Sequence, residues 1–205
     1  MPITINNEKI EEIQLSWYSW RNNASTLTMV LLSFIFACCT GLMAQVSLIN
    51  PWSPVPVTFQ TFAVLLAGVF LGKKYGGFSM ILYMLLGIIG IPWFAGMTYG
   101  LNILFTANCG YLIGFIFAAT FIGYVFDNFV NARKPIQSVI ILTIANFVFI
   151  YIPGLVTLYY TMLGHNQALT ITELLIMGLI PFIIGDLIKI AIASGITVSI
   201  LPKEE

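Results

Sequence analysis

Asp186 and Lys189 lie three residues apart inside the apolar run 174–201, and on a helix that spacing puts both side chains on one face. A rise of about 1.5 Å per residue sets Lys189 roughly 17 Å from Ile200 at the end of the run, too far for its ammonium to reach the interface. A charge at the bilayer centre costs about 2.5–3.5 kcal/mol on insertion scales, so each of these groups must face a partner or a polar cavity. Two readings are open. The pair neutralises itself as an intrahelical salt bridge, or it lines a pocket for a small anionic or amphipathic ligand. In the second case Lys189 offers three donors and Asp186 offers acceptors.

Other chemistry is sparse. The stretch Gly68-Val69-Phe70-Leu71-Gly72-Lys73-Lys74 is similar to a phosphate-binding loop, but it is one residue short between its glycines and lacks the Ser or Thr after the lysine. ATP hydrolysis by that route is not expected. His165, the single histidine, has no acid or nucleophile nearby in sequence. Cys38, Cys39 and Cys109 have neither zinc nor disulfide spacing and read as small apolar packing residues. With no clustered carboxylates, no metal-ligand spacing and no nucleophile elbow, neither a metal nor catalysis is expected. A membrane enzyme or a structural membrane protein is the remaining reading from another class.

The elements that carry Asp186 and Lys189 must be membrane spans. Of 205 residues, 59% are hydrophobic and 8% charged, against roughly 25% charged in a soluble domain. Lipid is therefore the main solvent, and an all-α integral membrane protein is expected. Zero net charge gives no field to recruit nucleic acid. Apolar runs predict six transmembrane helices, at 26–48, 57–71, 77–91, 110–126, 136–159 and 174–201. Pro181 breaks or kinks the last; a short helix and then a span from about Gly185 is as plausible as one long helix. Seven of the eight basic residues test this layout: Lys9, Arg21, Lys73, Lys74, Arg133, Lys134 and Lys203 all fall on one side when the spans number six. The positive-inside rule then puts both termini in the cytoplasm of a multi-pass cell-membrane protein.

Residues 1–25 are expected to form a cytoplasmic or interfacial segment and 26–205 the six-helix membrane domain, with its ligand site near the outer face. Glu8, Glu11 and Glu12 argue against a secretory signal. Ile10, Ile13 and Trp17 share a helical face, and Trp17, Tyr18 and Trp20 form an aromatic group before the first span; an interfacial helix or a flexible tail both fit. The loop 48–56 holds prolines at 51, 54 and 56 and is stiff. The loop 90–110 carries glycines with Thr98, Asn102, Thr106 and Asn108, and could close over a ligand. Polarity and position nominate Asn102, Thr98, Tyr111 and Gln60 as further ligand contacts. Ser33, Ala37 and Gly41, spaced by four, let another helix approach closely; the partner could be internal or a separate subunit.

Four ordered motifs carry a resemblance. Pro54-Val55-Pro56-Val57-Thr58-Phe59-Gln60-Thr61 runs on to Gly68; Tyr83 to Pro92 reads YMLLGIIGIP, with Phe94-Ala95-Gly96 behind it; Gly110 to Phe115 reads GYLIGF; and Gly185 to Lys189 reads GDLIK. Together they resemble the BioY family, the biotin-binding S components of energy-coupling-factor (ECF) transporters. The chain departs from the family's pattern at Thr106 to Cys109 and at Met97 to Tyr99, both in the loop expected to cover the ligand. The resemblance implies an S-component-like bundle that binds biotin near the outer face, with no cofactor of its own. It implies partners too: a transmembrane coupling subunit and two ATPases, whose hydrolysis of ATP reorients the binding subunit. Another vitamin or a biotin precursor is the alternative cargo. Asp186 and Lys189 match family ligand-binding positions, with Asp186 serving the ureido ring or positioning Lys189. A stripe such as Ser33, Ala37 and Gly41 would dock the coupling subunit.

Overall fold

The computed structural model describes residues 7–48 and 51–203. Positions 1–6 of the expected N-terminal segment, 49–50 of the proline loop and 204–205 of the membrane domain lie outside them. Helix α1 spans Asn7–Asn23 and α2 Thr26–Gln45, the latter started by the Ser25 hydroxyl, which accepts the Thr28 amide at 3.1 Å. Two short antiparallel strands follow, β1 (Ser47–Leu48) and β2 (Val57–Thr58), pairing Ser47 with Thr58 and Leu48 with Val57. Then come α3 (Gln60–Ile89), α4 (Cys109–Asn128), α5 (Pro135–Ile144), α6 (Tyr151–Gly164), α7 (Ile171–Gly178) and α8 (Ile183–Ile200).

Helix α3 is two arms, not one rod. Gly72 has φ 73° and ψ −176°, a backbone region that is essentially closed to side chains. The chain reverses there. Gln60 Nε2 reaches the Tyr83 hydroxyl at 2.8 Å, although 23 helical residues in a row would hold them roughly 35 Å apart. The second and third expected spans are therefore arms 60–71 and 73–89, and the anticipated connection between them shrinks to one glycine. A Cβ on Gly76 would stand 3.0 Å from the Ala67 carbonyl and the Gly68 Cα, so the arms touch backbone to backbone. Helix α4 lies against the same seam, with Gly123 packed on the Gly72–Lys73 peptide.

Among the described residues five stretches are long and apolar enough to cross a bilayer, and α3, folded back on itself, is one of them, which gives six crossings. The fifth expected span is the continuous helix Pro135–Gly164, whose residues 145–150 widen into a π-helical turn. The sixth is broken, as Pro181 requires: a 3₁₀ turn at Ile180–Phe182 separates α7 from α8.

One end of the bundle collects the positive charge. Arg21 pairs with Asp127 at 2.5 Å and donates to the Val69 carbonyl, and the Lys73 amide also donates to Asp127. Arg133, 2% exposed, donates to the Phe126 and Pro202 carbonyls and to the Tyr18 hydroxyl. Gln14 Nε2 donates to the Val198 and Ser199 carbonyls. Residues near positions 21, 73, 133 and 202 can meet only if the chain crosses an even number of times between them. The docked face of α1 is therefore Gln14, Tyr18 and Arg21. Ile13, on the apolar face expected of an interfacial helix, is 62% exposed.

Ser33, Ala37 and Gly41 are buried within the chain. The Ser33 hydroxyl donates to the Tyr75 carbonyl, and a Cβ on Gly41 would meet Trp93 at 2.9 Å. Within this chain the stripe packs α2 on the second arm of α3 and on Trp93 beyond it, the internal one of the two partners the spacing allows. The outward face of α2 is Leu27, Leu31, Phe34, Ile35 and Leu42, each large, apolar and exposed.

Candidate functional site

At the end of the bundle away from the basic cluster a cavity opens between the β1–β2 loop, α3, α4 and α8. The short first arm makes room for it. Twelve residues rise only about 17 Å, so 60–71 stops inside the bundle and the chain above it turns extended at β2. Ile103, Leu112, Phe115, Ile150 and Phe182 give apolar walls.

The floor is a closed polar network. Asp186 and Lys189 are 2% and 4% exposed and pair at 2.6 Å. Asp186 Oδ1 also accepts from the Thr61 hydroxyl at 3.2 Å, and Oδ2 accepts from Asn146 Nδ2 at 2.7 Å and the Tyr151 hydroxyl at 2.5 Å. Lys189 Nζ donates in addition to the Thr58 carbonyl and to Thr61 Oγ1, both at 2.8 Å. Every donor of the ammonium is engaged, and each carboxylate oxygen takes two hydrogen bonds. Asn146 Oδ1 is buried without a partner.

Two irregularities assemble this floor. Asn146 and Tyr151 are five apart and would diverge by about 140° on a regular helix. The π turn over 145–150 brings them to one carboxylate. The break at Pro181 does the other part. It starts α8 at Ile183, so Asp186 lies in the first turn of a helix whose positive end is inside the bundle, where a carboxylate is favoured.

Of the residues nominated from sequence, Gln60, Thr98, Tyr111, Asp186 and Lys189 line the cavity. Their free groups differ. The Gln60 amide is engaged by Tyr83 and Thr58, and the Tyr111 hydroxyl donates to the Gly178 carbonyl, so Tyr111 presents its ring. The Thr98 hydroxyl donates to the Ala95 carbonyl. Asn102 does not line this cavity; it stands on the 3₁₀ turn Leu101–Phe105, in a second, outer chamber. Thr61, Asn108, Asn146 and Tyr151 were missed. Thr61 directly follows Gln60, and Asn146 is a lone amide within an apolar span, a detectable signal. Asn108 precedes α4 without capping it and lines both chambers. Among the described residues no three His, Cys, Asp or Glu side chains come together as a metal site requires.

A sequence model of the BioY family matches residues 18–204. The "probable biotin transporter BioY" of Methanothermobacter thermautotrophicus is 46% identical over 140 residues, 68% of this chain and 89% of that protein. The "biotin transporter BioY" of Rhizobium etli is 35% identical over 175 residues, 83% of this chain and 90% of that one. The crystal structure of an S-component for biotin from an ECF-type ABC transporter superposes with a TM-score of 0.74 at 23% identity, covering 86% of this chain and 92% of that chain, which establishes the shared fold.

Proposed function

The chain belongs to the BioY family, and from that premise we propose that it captures biotin as the substrate-binding subunit of an ECF transporter in the cell membrane. The observation that carries this is the Asp186–Lys189 network at the floor of an apolar cavity. Biotin's head is a neutral urea fused to a thioether ring. The urea has two N–H donors and one carbonyl acceptor, and the thioether ring is apolar. The floor offers the complement: a carboxylate for the N–H groups and an ammonium for the carbonyl. A urea brings no charge, so it can enter a buried pair that is already neutral without leaving an uncompensated ion.

Because the network is closed, capture is an exchange. The ligand carbonyl takes the place of the Thr58 carbonyl or the Thr61 hydroxyl on Lys189, and the urea N–H groups take the place of Thr61 or Tyr151 on Asp186. Thr58 belongs to β2, so the exchange loosens or re-seats the loop over the cavity. The basic end faces the cytoplasm, both termini lie there, and a transmembrane coupling subunit with two ATPases supplies the energy. The chain itself carries out no covalent step.

Titration calorimetry of the purified, detergent-solubilised chain tests this. Saturable heat at about one biotin per protein is expected. Absence of binding at micromolar biotin, with tight binding of a different vitamin, overturns the assignment.

A further inference from the structure

The inner chamber opens into a second one of about 510 Å³, and Pro56, Ala95, Thr98, Ile103 and Asn108 border both. The polar lining of the outer chamber carries no ionic side chain: it is made of hydroxyls and amides such as those of Thr98, Tyr99, Asn102 and Asn108. Biotin's valerate tail ends in a carboxylate, and among the described residues no basic side chain lines the outer chamber to receive it. Of eight basic residues, only Lys189 is near the cavity, and Asp186 already neutralises it. Arg21, Lys73 and Arg133 are tied into the opposite end of the bundle, with Lys74, Lys134 and Lys203 beside them in sequence. Lys9 is on α1, which docks at that same end. His165 lines a separate recess with Tyr160 and Thr161.

The tail cannot bring its charge to the floor instead. A second carboxylate beside Asp186 would leave the buried network with net negative charge in a low-dielectric site, a costly arrangement. The head therefore goes in first, and the tail carboxylate stops in the wide neutral chamber, where it keeps its water. On the reading that biotin is the ligand, we propose that this site recognises the head alone, so that biotins whose carboxylate is capped, as esters or amides, belong to its substrate class beside the free acid. The outer chamber has the space for the added group, and removing a charge that contacts no cation forfeits no ion pair.

Parallel titrations of the full chain in detergent with biotin, biotin methyl ester and biotinamide test this. The three dissociation constants are expected to agree within about threefold, because exposed charge interactions are worth little and no ion pair is lost. Biotin affinity should also change less than about twofold between low and high salt. A preference of tenfold or more for the acid over both neutral forms overturns the proposal while leaving biotin as the ligand. If none of the three binds, the functional reading itself fails, and this proposal with it. Asn102→Lys supplies the missing cation. It should make the acid up to about fivefold tighter than the amide, the size of an exposed ion pair. An unchanged acid-to-amide ratio in that variant would show that the tail does not enter this chamber, and would count against the proposal.

Discussion

Thr61 is the hinge of the floor: its hydroxyl accepts from Lys189 and donates to Asp186. Thr61→Val keeps the shape and removes both bonds. Lys189→Met removes the group that the ligand carbonyl would use and leaves Asp186 short of its cation. A lost hydrogen bond to a charged group is worth about 1.5–3 kcal/mol, so Lys189→Met should weaken biotin at least about tenfold in calorimetry. Tyr151→Phe keeps the ring against Tyr111 and deletes only one of the two donors on Asp186 Oδ2. It should weaken biotin less than Lys189→Met does. Wild-type affinity in Lys189→Met would reduce the pair to a structural bridge. The pair was legible in the sequence because two charges within an apolar run must face each other or a polar cavity, and here they do both. Tyr151 and Asn146 were not, because their convergence depends on a π turn that no residue pattern announces. Gln60 was legible as polar, but not as engaged by Tyr83.

At the scale of elements, Gly72 carries the most consequence per atom. A Cβ there would collide with the Asp127 carboxylate at 2.5 Å and would force a side chain into a region costing about 1–3 kcal/mol. Gly72→Ala should lower the thermal midpoint in detergent by several degrees. Gly195, with open space where its Cβ would be, is the control: Gly195→Ala should leave the midpoint unchanged or raise it, since alanine is the better helix former by about 1 kcal/mol. The small-residue stripe gives a parallel pair. Gly41→Leu meets Trp93, whose indole donates to the Tyr83 carbonyl, so folding and biotin binding should fall together. If Gly41→Leu folded and bound normally while transport alone failed, the internal packing of α2 would be refuted. Spans were legible from apolar length, and the break at Pro181 from the missing amide. The hairpin was half legible. The two runs were visible, but a reversal on a single glycine is a property of φ, not of hydropathy.

The whole molecule has two unlike ends, one gathering arginines and lysines, the other hollow around an uncharged chamber. That polarity was legible before any fold, from seven basic residues that an even number of crossings puts on one side. It predicts the orientation. In a background lacking Cys38, Cys39 and Cys109, His165→Cys should react with an impermeant maleimide added to intact cells, and Lys73→Cys only after permeabilisation. The reverse labelling would turn the molecule over and put the cavity on the cytoplasmic side. The seat of α1 was not legible, since the carbonyls that hold Gln14 lie 184 and 185 residues away in the chain.

That distance fixes an order of assembly. Ribosomes deliver α1 before any span. The partners of its Arg21, the Val69 carbonyl and Asp127, come with the second and fourth crossings, yet the Val198 and Ser199 carbonyls gripped by Gln14 arrive only at the end of the sixth. During synthesis the seat of α1 is built in stages as its neighbours thread into lipid one after another, and the first helix made is among the last to be fully held.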